Sequence, residues 1–212
     1  MTGTALRTRT REQDGFTLIE LLIVMFIISV VFAAFGLVVS TTLRHSAVIT
    51  NQTVIQHQAR SALNQLTEDL REATLPSTTA TSPFVTTGGV MSSTSLTFYA
   101  PDDSYNASNP TAYHMREISY QLSGGNFQRV SSVSTNTAPT WTIPALGSYI
   151  TLVGGVVNSA AFTYYDGSQP PVATTSPAAV RTVVVSLTVS VPGTTQQYTY
   201  STSATLRENS PT

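Results

Sequence analysis

Gly15-Phe16-Thr17-Leu18-Ile19-Glu20-Leu21-Leu22-Ile23-Val24 opens the longest apolar run in the chain, which continues to Val39. From Phe16 to Val39 there are about 24 residues, a helix of roughly 36 Å at 1.5 Å per residue, enough to cross the hydrocarbon core of a bilayer. Within the run only Thr17, Glu20, Ser29 and Gly36 are not strongly apolar. Of these, Glu20 alone is expensive in lipid, by about 3 kcal/mol for an ionised carboxylate. One reason for its presence is position: in the first helical turn, near the headgroups, the helix dipole favours an anion and water is close.

Ahead of the run, residues 1–14 are polar, and Arg7, Arg9 and Arg11 outweigh Glu12 and Asp14. Such a surplus of positive charge keeps this end on the cytoplasmic side. The run is too long for the core of an ordinary secretory signal, and Ala33-Ala34-Phe35 is a poor small-residue cleavage site. The order of residues, a basic leader, Gly15, an aromatic at Phe16 and a carboxylate at Glu20 before a spanning segment, resembles that of the type IV prepilins, the family that includes the pseudopilins of type II secretion. The resemblance is unbroken from Gly15 to Val24.

That resemblance implies a fate for the N-terminus. A membrane aspartyl protease, the prepilin peptidase, cuts such chains after the glycine and methylates the new amine, so the cut falls between Gly15 and Phe16 and Phe16 becomes the N-methylated terminus. Glycine suits the cut site because, lacking a Cβ, it can enter a narrow active site extended. The resemblance also gives Glu20 a second reading, as the partner of the terminal ammonium of a neighbouring subunit, each buried charge neutralising the other. Cleavage would remove the leader and leave the apolar helix on the mature protein, anchoring it. Further implied partners are other major and minor pilins or pseudopilins, membrane lipid and an inner-membrane assembly platform. The implied location is the bacterial cytoplasmic membrane, single-pass with the N-terminus inside and the C-terminal domain outside, then a pilus or pseudopilus.

With 212 residues, of which 41% are hydrophobic and 10% charged, there is room for one modest domain beyond a membrane segment. The net charge of −1 gives no basic field for nucleic acid. Cysteine is absent, which excludes disulfides and thiolate metal sites.

Beyond Val39 the pattern stays helical and becomes amphipathic. Val48, Ile55, Ala59, Ala62, Leu63, Leu66, Leu70 and Ala73 form one face, and Gln58, Arg60, Asn64, Glu68, Asp69, Arg71 and Glu72 the other. No Pro or Gly interrupts Leu37 to Leu75, and Pro76 disfavours helix at Leu75, so one helix is expected from Phe16 to about Leu75. After Pro76 the period becomes two. Leu96 to Ala100, Ile118 to Leu122 and Phe127 to Val130 read as strands, the last two joined at Gly124-Gly125. A second series covers Ile150 to Val153, Val156 to Tyr165, Val180 to Val191 and Tyr198 to Leu206, with a turn at Pro192-Gly193. The expected fold is α+β and pilin-like, a long N-terminal helix with a membrane half and an amphipathic half, packed on one antiparallel β-sheet. Its divisions are a cleaved leader (1–15), a transmembrane or filament-core helix (16–40), an amphipathic continuation (41–75) and a β-rich exported domain (76–212).

Several short stretches resemble minor subunits of the PilW and J-type pseudopilin group: Glu68 to Ala73, Ile118 to Leu122 with Asn126 to Arg129, Phe162 to Gly167 and Ala204 to Arg207. The tail departs from that group, with Arg207-Glu208 where Arg-Asn is common, as does the Pro- and Thr-rich loop from Ser168 to Ala179.

No constellation for catalysis emerges. His45, His57 and His114 lack metal-ligand spacing, and Gly88-Gly89, Gly124-Gly125 and Gly154-Gly155 read as turns rather than phosphate loops. Asp102-Asp103-Ser104 with Asn106 and Asn109, or Asp166-Gly167-Ser168, offer oxygens to calcium or are plain acidic turns; neither has a ligand ladder, and no cofactor is expected. Tyr198 and Tyr200 read as core packing or as a binding stripe. Two functions of different class fit the chain: a minor pilin or pseudopilin assembled through its N-terminal helix, in an initiation or tip complex, and a single-pass membrane-anchored binding or adhesin domain that does not polymerise. A simple anchor needs neither Gly15 nor Glu20.

Overall fold

The computed structural model describes residues 17–77, 80–102, 114–136 and 141–206. A single helix, α1 (Leu18–Arg71), is followed by eight strands: β1 (Phe84–Val85), β2 (Ser95–Pro101), β3 (Met115–Ser123), β4 (Asn126–Val133), β5 (Ile150–Gly154), β6 (Phe162–Tyr165), β7 (Thr182–Ser190) and β8 (Gln197–Thr205). The chain divides into two compact units between Ala47 and Val48, and α1 contributes to both. The architecture is α+β and pilin-like, with the second part of α1 packed on antiparallel sheets.

The helix stops at Arg71 rather than near Leu75, before Pro76 can act. The Ala73 N–H donates to the Leu70 carbonyl at 3.2 Å, tightening the last turn, and the Thr74 N–H donates to the Tyr99 carbonyl at 2.9 Å. The backbone has thus been captured by β2. A basic residue, Arg71, occupies the final turn, where the helix dipole favours it.

Where one sheet was expected there are two, a five-stranded sheet in the order β1-β2-β3-β4-β5 and a three-stranded sheet in the order β6-β7-β8, all pairs antiparallel. The β3–β4 hairpin turns on Gly124 and Gly125 at φ 58° and 72°, left-handed values that favour glycine in a two-residue hairpin turn. The chain changes sheets just after β5: the Val156 N–H donates to the Gly125 carbonyl and the Val157 N–H to the Thr188 carbonyl. The strand expected from Val156 is correspondingly delayed to Phe162. Asn158 explains the delay. Its side chain donates to the Ser186 carbonyl at 3.0 Å and accepts from the Thr188 N–H at 2.8 Å, standing in for a backbone ladder along β7.

From α1, Ile55, Ala59, Ala62, Leu63, Leu66 and Leu70 are buried, while Gln58, Arg60, Asn64, Glu68, Arg71 and Glu72 are exposed and Val48 is half-buried. The helix meets Leu96, Phe98, Ile118, Tyr120 and Phe127 of the larger sheet and Val183, Val185, Leu187 and Val189 of the smaller one in a single apolar cluster. Rings bridge the sheets: Phe98 to Tyr120, Tyr120 to Phe127 and Phe127 to Phe162 have centroids 6.5, 5.7 and 6.1 Å apart.

Asp69 contradicts its assignment to the wet face. It is only 7% exposed. The Tyr120 hydroxyl donates to Oδ2 at 2.6 Å, Arg129 Nε donates to the same oxygen at 2.9 Å, and Arg116 lies 3.8 Å from Oδ1. Arg116 also pairs with Glu72, and the Arg129 guanidinium stands 5.8 Å from the Tyr120 ring centroid. A buried carboxylate is tolerated only when its lone pairs are met in this way. Burial, followed by the negative charge of Asp69, pushes the Tyr120 phenol far above its ordinary range. Burial alone would lower the Arg129 pKa, but the hydrogen bond and charge of Asp69 reverse this and raise it.

Candidate processing and assembly site

Gly15 and Phe16, the expected cleavage and methylation residues, lie outside the described residues; the description of the site begins at Thr17. The Thr17 hydroxyl accepts the Glu20 N–H at 3.3 Å, and the Thr17 carbonyl accepts the Leu21 N–H at 3.3 Å. Thr17 is therefore the N-cap of α1 and Glu20 its third helical residue, the Thr-x-x-Glu spacing of a capping box. The Thr17-to-Glu20 spacing is visible in the sequence, but the charge of Glu20 at the head of an apolar run masks its place in a capping turn. Its consequence is positional. The helix starts at Leu18, three residues after Gly15 in the sequence, and the Glu20 side chain is exposed in the first turn, where unpaired backbone N–H groups favour an anion.

C-terminal to this turn and as far as Ala47, no residue of the helix is buried among the described residues. Leu18 is 86% exposed and Phe32 71%, and Leu22, Phe26, Ile28, Val31, Phe35 and Leu37 are exposed with them. A surface apolar on every side of a helix far exceeds the patches that a soluble monomer leaves in water, so lipid or other chains must cover it. The hydroxyls fit such surroundings. Ser29 donates to the Phe26 carbonyl at 2.7 Å, Ser40 to Leu37 at 3.0 Å and Thr42 to Val38 at 2.9 Å, so each finds its partner on its own helix and needs no water. By length and composition α1 can cross a membrane.

Residues 10–36 match the family model described as the prokaryotic N-terminal methylation motif. The chain has a type IV prepilin-like N-terminus. The motif takes in Gly15, Phe16, the Thr17 cap and Glu20, and it ends within the fully exposed part of α1, well before β1. It is a motif of type IV pilins and pseudopilins, substrates of prepilin peptidase, and the exposed apolar helix behind it is consistent with membrane anchoring. No curated protein matches the chain.

The other candidates stand apart from this site. His45 and His57 are exposed on α1, and His114 Nδ1 lies 2.9 Å from the Ser134 carbonyl. Among the described residues no three His, Asp or Glu side chains come together as metal ligands. Asp103, Ser104, Asn106 and Asn109 lie outside the described residues. Asp166 Oδ1 accepts from the Ser168 N–H at 3.1 Å, the Ser168 hydroxyl at 2.6 Å and the Val172 N–H at 2.9 Å. These bonds, that of the Ser168 hydroxyl first, hold its carboxyl below the usual range. The carboxylate closes its own loop. Tyr200 packs against the core, and the half-buried Tyr198 accepts a hydrogen bond from Gln52 at 2.8 Å.

Proposed function

We propose that the chain is a minor pilin or pseudopilin, with a structural rather than catalytic role. Prepilin peptidase cuts it between Gly15 and Phe16 and methylates the Phe16 amine; α1 then holds it in the cytoplasmic membrane, leader end inside, and carries it into an initiation or tip complex of a pilus or pseudopilus. The observation that supports this reading most directly is the placement of the methylation motif at the head of a helix whose first thirty residues are all exposed among the described residues. The short stretches from Glu68 to Ala73 and from Ile118 to Arg129 favour a minor over a major subunit. Within an assembly, Glu20 faces the terminal ammonium of an adjacent subunit, and the two charges form a charge-assisted hydrogen bond that lipid could not supply.

Mass spectrometry of the chain extracted from membranes of cells with an active prepilin peptidase tests this. The expected N-terminal peptide begins with N-methylated Phe16. A mature chain that still begins at Met1 overturns the reading and leaves an uncleaved membrane anchor in its place.

A further inference from the structure

On β3, Glu117 lies on the face of the five-stranded sheet opposite Ile118 and Tyr120, with Tyr99 as its cross-strand neighbour. It is half-buried, and it lines a cleft of about 290 Å³ together with Val85, Thr86, Thr87, Val90 and Ser95. Gly88 and Gly89, both left-handed at φ 74° and 72°, turn the loop that brings Thr86, Thr87 and Val90 to the cleft.

Three properties of the cleft single out one kind of ligand. First, among the described residues no cation and no hydrogen-bond donor meets the Glu117 carboxylate, unlike Asp69 and Glu72 on the other face. A half-withdrawn charge without a partner is destabilising, and burial pushes the Glu117 carboxyl above its usual range. Second, the hydroxyls divide into two groups. Thr97 is engaged with Ser119 at 2.8 Å and Ser92 accepts the Ser95 N–H at 3.2 Å, whereas the Thr86, Thr87 and Ser95 hydroxyls have no partner among the described residues. Third, Val85 and Val90, 37% and 52% exposed, supply apolar wall beside these oxygens.

We propose that this cleft binds a primary alkylammonium group, its charge on Glu117 and its aliphatic stem along Val85 and Val90 toward the open hydroxyls of Thr86, Thr87 and Ser95 at the far end of the cleft. An ammonium has three donors and no acceptor, which suits a carboxylate that no donor meets among the described residues. A divalent cation would need more than one charged oxygen ligand, and an anion would be repelled. The group reaches the cleft either as a free amine or as a lysine side chain of a neighbouring protein. The proposal does not depend on the filament reading.

The test uses the full chain in detergent micelles, titrated with butylammonium chloride and, in parallel, with 1-butanol, while backbone amide shifts are followed by NMR. Saturable shifts at Val85, Val90, Ser95 and Glu117 with butylammonium and none with butanol are expected. Glu117→Gln should weaken binding by about tenfold, the scale of one charged hydrogen bond, with the amides of β6 to β8 unmoved. Glu117→Asp, which keeps the charge, should bind more tightly than Glu117→Gln. Shifts that never saturate, equal shifts with butanol, or equal affinity in wild type and Glu117→Gln overturn the proposal. The source is identified by carbodiimide treatment of membranes, which joins a carboxylate to a touching amine as an amide while the displaced oxygen leaves in the urea. A tryptic adduct between Glu117 and a lysine of another protein identifies a protein partner. Saturable butylammonium binding without that adduct identifies a free amine.

Discussion

The two parts of α1 lie on one continuous helix and obey opposite rules. From Leu18 to Ala47 none of the helix is buried, and as far as Val39 every face is apolar or hydroxyl-bearing except at Glu20; from Val48 to Arg71 a single stripe is buried and the rest, Ile49 and Val54 apart, is mostly charged or polar. Helix formation does not distinguish them, so the difference lies in what each part needs around it. The second part finds its apolar partner in the chain's own sheets, whereas the first must find one in lipid or in other subunits. Substitutions in the second part should therefore register as lost stability of the strand-rich unit, and substitutions in the first as lost assembly with that unit intact.

The largest loss is expected at Asp69, where the second part departs from a simple apolar stripe. Removing this carboxylate leaves Arg129 and the Tyr120 hydroxyl without the partner they surround. Asp69→Ala should lower the unfolding free energy by about 3 to 5 kcal/mol, measured by denaturant titration of the strand circular-dichroism signal of the full chain in micelles. A loss below about 1 kcal/mol, typical of an exposed pair, would show that the network contributes no more than a surface salt bridge.

Asp69 also marks the limit of what the sequence could reveal. The apolar stripe was legible because Ala62, Leu63, Leu66 and Leu70 recur at helical spacing, and β2, β7 and β8 were legible because their alternation is long and unbroken, while β3 and β4 were marked by the glycine turn between them. Asp69 occupies the same stripe, three residues after Leu66 and seven after Ala62, but its partners come from β3 and β4, about 50 to 60 residues away. Polarity placed it outside; geometry placed it inside. The division into two sheets was hidden for a similar reason, since it depends on Asn158 replacing backbone hydrogen bonds along β7, a role no periodicity announces. The N-terminal site was the reverse case. Its motif is local, so it could be recognised from Gly15 to Val24 without any distant partner, and the coordinates add the hydrogen bond by which Thr17 caps the helix.

Next in size is Leu66, completely buried against the sheets. Leu66→Ala should cost about 2 to 5 kcal/mol in the same titration, from lost transfer energy and the cavity left behind. Phe26→Ala, on the exposed part of α1, should leave the strand transition within about 0.5 kcal/mol of wild type. Equal losses at the two positions would erase the distinction between the two parts of the helix.

A smaller effect separates the helix-to-sheet network by pH. The phenols of Tyr120 and Tyr164 are raised in the folded chain, by burial first in both cases. In the unfolded chain they return to an ordinary pKa of about 10, so the stability they contribute is complete below about pH 10 and is lost as pH rises above it, when the unfolded state releases their protons first. The unfolding midpoint should hold steady from about pH 8 to about pH 10 and then fall. Tyr120→Phe should cost about 1.5 to 3 kcal/mol at neutral pH, through the lost hydrogen bond to Asp69, and should make the alkaline fall shallower. An alkaline fall unchanged in the variant would remove Tyr120 from that role.

The smallest effect on folding, and the sharpest test of the comparison, is expected at Glu20. Its side chain is exposed and its backbone N–H bonds to Thr17 whatever the side chain beyond Cβ, so Glu20→Ala should leave the strand transition within about 0.5 kcal/mol of wild type. Membrane insertion should be unimpaired, because an ionised carboxylate opposes transfer into lipid and its removal does not. Cleavage after Gly15 should also persist, since the cut-site residues are untouched. If Glu20 pairs as proposed, what should fail is docking: the terminal ammonium of an adjacent subunit would lose the carboxylate that neutralises it, and an unpaired charge in an apolar filament core is strongly destabilising. Crosslinking or co-purification with the major pilin, beside N-terminal mass spectrometry of the same sample, reads both halves at once. A cleaved, methylated chain that no longer co-purifies is the expected result; normal co-purification of a cleaved Glu20→Ala chain would reject the pairing and assign Glu20 to the capping turn alone.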